Sequence, residues 1–297
     1  MNMRTMTTVL ALLAASQGFA QLSVPKPKPL PVVSAEGAAQ LEALIGSGLT
    51  AKPVKPRKVL VFSRCEGFVH GEGIVYGIKA LEIAARTGAF AATFSSDYTA
   101  LTDKKALFTY DAVVLNNTTR LKAKENPALV PNLIEFVKSG RGLCVIHAGA
   151  DNFYDSPDAA EMVGGQFDGH PWTAGGTWAF KLDEPAHPLN RAFGGQSFKF
   201  GDEIYQQKSP FYDRAKLRVL VSLDLSDEKT NDVKNKKRAD NDYAVSWIRP
   251  YGAGRVFYTS FAHDKRAFLN KMTLWHILDG LQFTLGDLKA DAAPLSR

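Results

Sequence analysis

The sequence predicts an α/β protein: a doubly wound, mainly parallel sheet flanked by helices, with an added antiparallel β portion in the C-terminal half. Three observations carry this. Short apolar segments and helical segments alternate four times between Lys58 and Ile146. Each of these apolar segments lacks polar alternation, as strands covered on both faces do. After residue 175 the rhythm changes to strand-like runs with little helix between them.

Element by element, "KVLVF" is a buried strand. "GIVYGIKALEIAARTG" is a helix placing Ile74, Ile78, Leu81 and Ala85 on one face, with Gly88 as its stop. "AATFSS" is a second strand and "DAVVLNN" a third, with a short polar helix near Asp103 between them. "PALVPNLIEFVKSG" is a helix ending at Gly140, and "GLCVIH" is the fourth strand. Then "TWAFKL", "SFKFGDEIYQ", "LRVLVSL", "DYAVSWI" and "RVFYTSF" read as strands, the last two joined by a "YGAG" turn. A closing helix over about 266–283 carries Phe268, Met272, Trp275 and Leu278 on one face.

The 297 residues are 45% apolar and 22% charged, a globular composition. Residues 1–20 have one basic residue, Arg4, an apolar stretch too short to span a bilayer, and small residues ending at Ala20; this is the pattern of a signal peptide. The expected location is therefore exported, periplasmic or extracellular, with no membrane insertion after cleavage. Residues 21–56, rich in Pro, Lys and Ala, read as a tether; residues 57–285 form the compact domain and 286–297 a tail. The formal net charge of +6 is mild, and the basic runs "KPKP" and "VKNKKR" lack interleaved aromatics, so no nucleic-acid partner is expected. Residues 226–242 read as an exposed basic loop. Cys65 and Cys144 permit one disulfide but none is expected, because Cys144 sits inside a buried strand.

Ligands of doubly wound sheets lie beyond the carboxyl ends of the strands. Three such ends carry a histidine, in a chain with six: "SRCEGFVHGEG" has Arg64, Glu66 and His70; His147 is followed by Asp151; His263 is followed by Asp264. His170 lies in the Gly-rich "GGQFDGHPW". A single histidine is usually structural, but the set at strand ends points to chemistry. His187 reads as a turn residue and His276 as helix packing. Acid–base work needs a carboxylate beside the imidazoles, and "GDEIYQ" offers Asp202, Glu203 and Tyr205, the last two facing one way along a strand. Trp172 and Trp178 could stack on a sugar or serve only as packing. "GEGIVYG" fails as a dinucleotide loop because Tyr76 stands where the third glycine belongs. No His-Glu-x-x-His or paired-Cys motif is present; no cofactor is assigned, and a divalent ion held by His70, His147, His170 or His263 stays open.

Together "KVLVFSRCEGFVH", "GRGLCVIHAGADNF", "GGQFDGHPW", "HPLNRAF" with "GDEIY", and "YGAGRVFYTSFAHD" resemble the ThuA-like (trehalose utilisation) family. The resemblance implies a class I glutamine-amidotransferase-like, flavodoxin-like fold. Amidotransferases of this fold place a nucleophilic cysteine at a sharp strand-to-helix turn. "VIHAG" looks like that elbow with His147 in the cysteine's place, so glutamine hydrolysis is not expected. The family is tied to disaccharide use through 3-keto sugars. It thus implies an enzyme acting on a disaccharide or 3-keto-glycoside by hydrolysis, elimination or isomerisation. His147, Glu203, His263 and His70 would be catalytic; Arg64, Asp151, His170, Trp172, Tyr205 and Asp264 would bind substrate. The alternatives are a non-catalytic carbohydrate-binding protein and a metal-dependent hydrolase with a histidine site. The expected partner is a small carbohydrate, with a homo-oligomer left open.

Overall fold

The computed structural model describes residues 29–295; the expected signal peptide lies outside them. In chain order the main elements are α1 (Ala35–Ile45), β1 (Lys58–Phe62), α2 (Gly71–Arg86), β2 (Ala91–Ser95), α3 (Thr99–Thr102), α4 (Lys104–Leu107), β3 (Ala112–Asn116), α5 (Leu129–Lys138), β4 (Gly142–Ile146), α6 (Pro157–Val163), β5 (Trp178–Leu182), β6 (Phe198–Phe200), β7 (Arg218–Leu223), α7 (Glu228–Asn231), β8 (Ala244–Tyr251), β9 (Gly254–Thr259), α8 (Lys265–Phe268) and α9 (Lys271–Leu285).

One nine-stranded sheet runs β2-β1-β3-β4-β9-β8-β7-β5-β6. The first five strands are parallel; β8, β7, β5 and β6 extend the sheet antiparallel. Side chains alternate across each strand. Val59 and Val61 of β1, with Cys144 and Ile146 of β4, therefore join the core under α1, α2 and α9. Leu60, Phe62, Leu143 and Val145 join the opposite core under α5 and α6. The β8–β9 turn passes through Gly252 at φ +59°, a left-handed conformation suited to a two-residue hairpin connection.

Several expectations need correction. β2 is not buried on both faces: it is a sheet edge, and Ala91, Thr93 and Phe94 are exposed. The buried stripe of α2 follows Gly73, Ile74, Gly77, Ala80, Leu81 and Ala84, leaving Ile78 and Ala85 half-buried. The glycines let the helix approach the sheet, since a Cβ on Gly77 would lie 2.4 Å from Asn116 Oδ1. The closing helix is two helices. Asn270 caps the second through its side chain, and Met272 and Trp275 are only half-buried.

The 21–56 extension is more than a tether in its described part. Helix α1 buries Leu41 and Ile45 against the domain, Trp275 Nε1 donates to Leu44 O at 3.0 Å, and Gln282 bonds the Ala51 backbone in both directions. The tail is likewise anchored, by Asp287 on Arg57 and by Asp291 on Arg218. The loop at 226–242 contains α7, whose Thr230 is buried and accepts from Trp172 Nε1 at 2.9 Å. Lys237 of the same loop pairs with Asp168 at 2.7 Å, so the basic segment is braced against the Gly-rich loop. Both cysteines are free thiols, with Cys144 fully buried.

Candidate functional site

Beyond the carboxyl ends of β1, β4 and β9 three imidazoles meet. His70 precedes α2, His147 follows β4 directly, and His263 follows β9. The ring centroids lie 4.8 Å apart for His70 and His147, 4.9 Å for His70 and His263, and 5.4 Å for His147 and His263. Glu203 joins them. Its Oε1 lies 3.7 Å from His147 Nε2 and 3.3 Å from His263 Nδ1, and its Oε2 lies 3.3 Å from His170 Nδ1. His70, His147, His263 and Glu203 each offer one ligand atom, all within 4.8 Å of one another.

His147 stands at a sharp turn out of β4. His147 takes φ +48°, in the left-handed region that L-residues seldom occupy, and is fully buried. A 3₁₀ turn, His147–Ala150, follows it. The small residues have a packing reason: a Cβ on Gly149 would meet Val145 Cγ1 at 2.5 Å. His147 Nδ1 lies 2.6 Å from the Ser260 carbonyl oxygen. That partner can only accept, so Nδ1 carries the proton and Nε2 presents its lone pair to the pocket.

Backbone strain recurs at two neighbouring strand ends. Asn117, after β3, has φ +53° and Ala262, after β9, has φ +91°. Asn117 Nδ2 donates to Ala262 O at 3.1 Å. Asp202 accepts from the backbone N–H groups of Ala262 at 2.8 Å and His263 at 3.2 Å. These bonds hold the turn that presents His263. Ser260 ties the rest together, because its Oγ accepts from Tyr205 N at 2.9 Å while its carbonyl holds His147.

The electrostatics favour neutral rings in the interior. Burial, then the neighbouring His263, lowers His70 to about 4. Burial with His70 and His263 nearby holds His147 well below the ordinary imidazole value. Burial opposes the charge on His263 too, but the Glu203 carboxylate overrides it and raises that group. Desolvation raises Asp202 to about 7 despite its backbone bonds. The Tyr205 phenol is pushed well above its usual value by burial and by Glu203, so it stays a hydrogen-bond donor.

Of the residues singled out in the sequence, His70, His147, His263, Glu203, Tyr205 and His170 converge. Glu203 and Tyr205 do both reach the imidazole cluster, although the regular strand ends at Phe200 and the segment beyond it makes only single bridges, at Ile204 and Gln207. Tyr205 OH lies 3.4 Å from His70 Nε2. Four residues do not join the group. Trp172 is completely buried, with its ring edge-on to Tyr243, so it is core rather than a sugar platform. Arg64 pairs with Glu66 at 2.6 Å and lies over Tyr98. Asp264 caps α8 and pairs with Arg266. Asp151 is engaged by Tyr154 and faces Arg120 at 3.6 Å. Trp178 is also buried, His187 caps a 3₁₀ turn, and His276 is a core residue.

Ser260, Asn117 and Gly73 were not legible as site residues, because their partners lie far away along the chain; Asp202, read as a possible acid–base carboxylate, instead holds the Ala262 and His263 amides. An exposed aromatic group beside the cluster is Phe68, 67% exposed and edge-on to His70 at 4.8 Å.

Comparison with known proteins adds a family. Residues 58–284 match the ThuA family model, described as trehalose utilisation. A ThuA-like protein of Bacteroides uniformis has a similar structure, with a TM-score of 0.62 at 18% identity over 80% of this chain and 95% of that one. A ThuA-like protein of Parabacteroides merdae gives 0.56 at 17% identity over 80% and 93%. A cytoplasmic protein of Salmonella typhimurium gives 0.53 at 16% identity over 76% and 98%. At these identities the likeness is one of fold. No match was found among curated proteins.

Proposed function

The chain belongs to the ThuA (trehalose utilisation) family, and from that premise we propose that it is a carbohydrate-processing enzyme acting on a disaccharide or its 3-keto derivative at the histidine–glutamate pocket. The family supports a carbohydrate-related role. The observation that carries the catalytic reading is the convergence of His70, His147, His263 and Glu203, within 4.8 Å, at the carboxyl rim of the parallel strands.

A carbonyl at C3 of a sugar acidifies the neighbouring C–H. Glu203, central among the imidazoles, takes that proton, and the enediolate that forms expels the glycosidic oxygen. His263, whose protonated form Glu203 favours, supplies the proton to the departing oxygen. The elimination needs no oxidant and consumes no water. His147, with Nδ1 held on the Ser260 carbonyl, presents its Nε2 lone pair, which accepts a hydrogen bond from a sugar hydroxyl. Tyr205 donates one, and half-exposed His170 passes the Glu203 proton to solvent. Phe68 offers the apolar face that a sugar ring covers.

The test is a mass-spectrometric screen of the protein against native and 3-oxidised disaccharides. Turnover of a 3-keto-glycoside that falls at least 10²-fold in His147→Gln and Glu203→Gln, with folding intact by circular dichroism, is the expected result. Binding without product would leave a carbohydrate-binding protein instead. We also propose export; N-terminal sequencing of the protein from its native host should show cleavage after Ala20.

A further inference from the structure

We infer that His70, His147, His263 and Glu203 form a site for one divalent transition-metal ion of the zinc class. The inference goes beyond the sugar chemistry proposed above and does not rest on it. Its basis is a set of unpaired atoms. His70 Nδ1, His147 Nε2 and His263 Nδ1 are buried from water, and none has a hydrogen-bond partner. His147 is completely buried and His70 is 5% exposed. A buried polar atom left unpaired has given up its hydrogen bond to water for nothing, and three in one cluster are not compensated within the described protein. The His263–Glu203 approach of 3.3 Å is an ion-pair contact that does not align as a hydrogen bond, so it does not satisfy Nδ1.

An ion would satisfy all three at once. Ligands about 2.1 Å from a tetrahedral ion stand roughly 3.4 Å from one another. The His263–Glu203 and His147–Glu203 separations, 3.3 and 3.7 Å, already have that spacing.

The atoms turned away from the pocket are held as outer-shell partners hold metal ligands. His147 Nδ1 is fixed on the Ser260 carbonyl, His70 Nε2 faces Tyr205 OH, and Glu203 Oε2 faces His170. Each contact leaves the other atom of the ligand free for the ion. Three imidazole nitrogens and one carboxylate suit Zn²⁺ or Co²⁺, the ion displacing any proton on His263, whereas Mg²⁺ and Ca²⁺ require mostly oxygen. With the ion in place, the lone pairs of these four residues are engaged, so Glu203 and His263 can act as base and acid only in the ion-free protein. His170, outside the ligand set, remains as the proton carrier.

The test uses the full-length mature protein, purified without a His-tag and stripped with a chelator. ZnCl₂, CoCl₂ and MgCl₂ are titrated in turn by calorimetry, and thermal unfolding is followed in parallel. The expected result is one Zn²⁺ or Co²⁺ per chain, a raised Tm, visible d–d absorption for Co²⁺, and no binding of Mg²⁺. His263→Gln and Glu203→Gln should each weaken the affinity at least tenfold, and His187→Asn should not. His263 is partly exposed, so its variant keeps the protein folded if His147→Gln does not. Absence of 1:1 binding, or equal affinity in the wild type and both variants, would overturn the inference. A protein that binds Zn²⁺ but processes no sugar loses only the proposed activity. One that processes a sugar but binds neither Zn²⁺ nor Co²⁺ loses only the ion.

Discussion

Replacing Gly73 by Ala should destabilise the protein and impair the pocket, although Gly73 lies inside a helix and touches no ligand. In an exposed helix interior the change would stabilise by about 1 kcal/mol. Here the added Cβ would lie 2.6 Å from Ala262 O, 2.8 Å from His263 O and 2.9 Å from Asn117 Nδ2. Bringing the shortest approach to an ordinary 3.4 Å contact needs about 0.8 Å of retreat by the backbone that carries His263. The two nearest obstructing atoms are backbone carbonyls, and they cannot swing aside as a side-chain tip could, because Asn117 Nδ2 holds the Ala262 oxygen and Asp202 holds the Ala262 and His263 amides. Overpacking of this kind costs about 1–3 kcal/mol, and loosening the Asn117 bond adds about 1 kcal/mol. The net expectation is a loss of roughly 1–3 kcal/mol in urea-unfolding free energy. Affinity for Co²⁺ or for a keto-glycoside should fall with it, since His263 moves relative to Glu203. A variant more stable than wild type by about 1 kcal/mol with unchanged binding would refute the reasoning.

Other substitutions test the remaining structure. Leu41→Ala, in the N-terminal helix, should cost about 2–5 kcal/mol by denaturant unfolding, because Leu41 is fully buried against the domain; a change under 0.5 kcal/mol would restore the tether reading. Trp172→Phe should lower stability by about 1–3 kcal/mol through lost packing and the lost bond to Thr230, with sugar affinity unchanged; weakened sugar binding at unchanged stability would return Trp172 to the site. Buried His276 is lowered to about 4 by desolvation, against 6.5 in the free side chain. The unfolded chain therefore takes the proton first as pH falls, so this contribution is complete above pH 6.5 and is lost progressively toward pH 4. Between pH 7.5 and 5 it should remove about 2 kcal/mol of stability, a dependence reduced in His276→Gln if that variant folds.

The sequence by itself determined the architecture. Runs such as Val59–Phe62 and Leu143–Ile146 are apolar at every position, and only a sheet covered on both faces buries both sides of such a strand. It also located three histidines just beyond strand ends, because parallel strands bring their carboxyl ends to one rim whatever lies between them.

What it did not determine depends on contacts between distant residues. The buried stripe of α2 runs through Gly73 and Gly77, and a search for apolar periodicity passes over glycines that matter because they carry no side chain. Trp172 and Phe68 are both aromatic residues in loops, and only packing decides that the first fills the core while the second stands in solvent. Arg64 and Asp264 lie at strand ends as His70 and His263 do, yet each turns to a charged neighbour two residues away. The left-handed backbone at Asn117, His147 and Ala262 was not foreseen: Asn and His adopt it more readily than most residues but usually do not, and Ala262 gives no sign of it. Tertiary hydrogen bonds from Asp202, Ser260 and Asn117, each spanning 55 residues or more, hold that backbone and aim the imidazoles. Local preference cannot encode an interaction whose partners meet only after the sheet has formed.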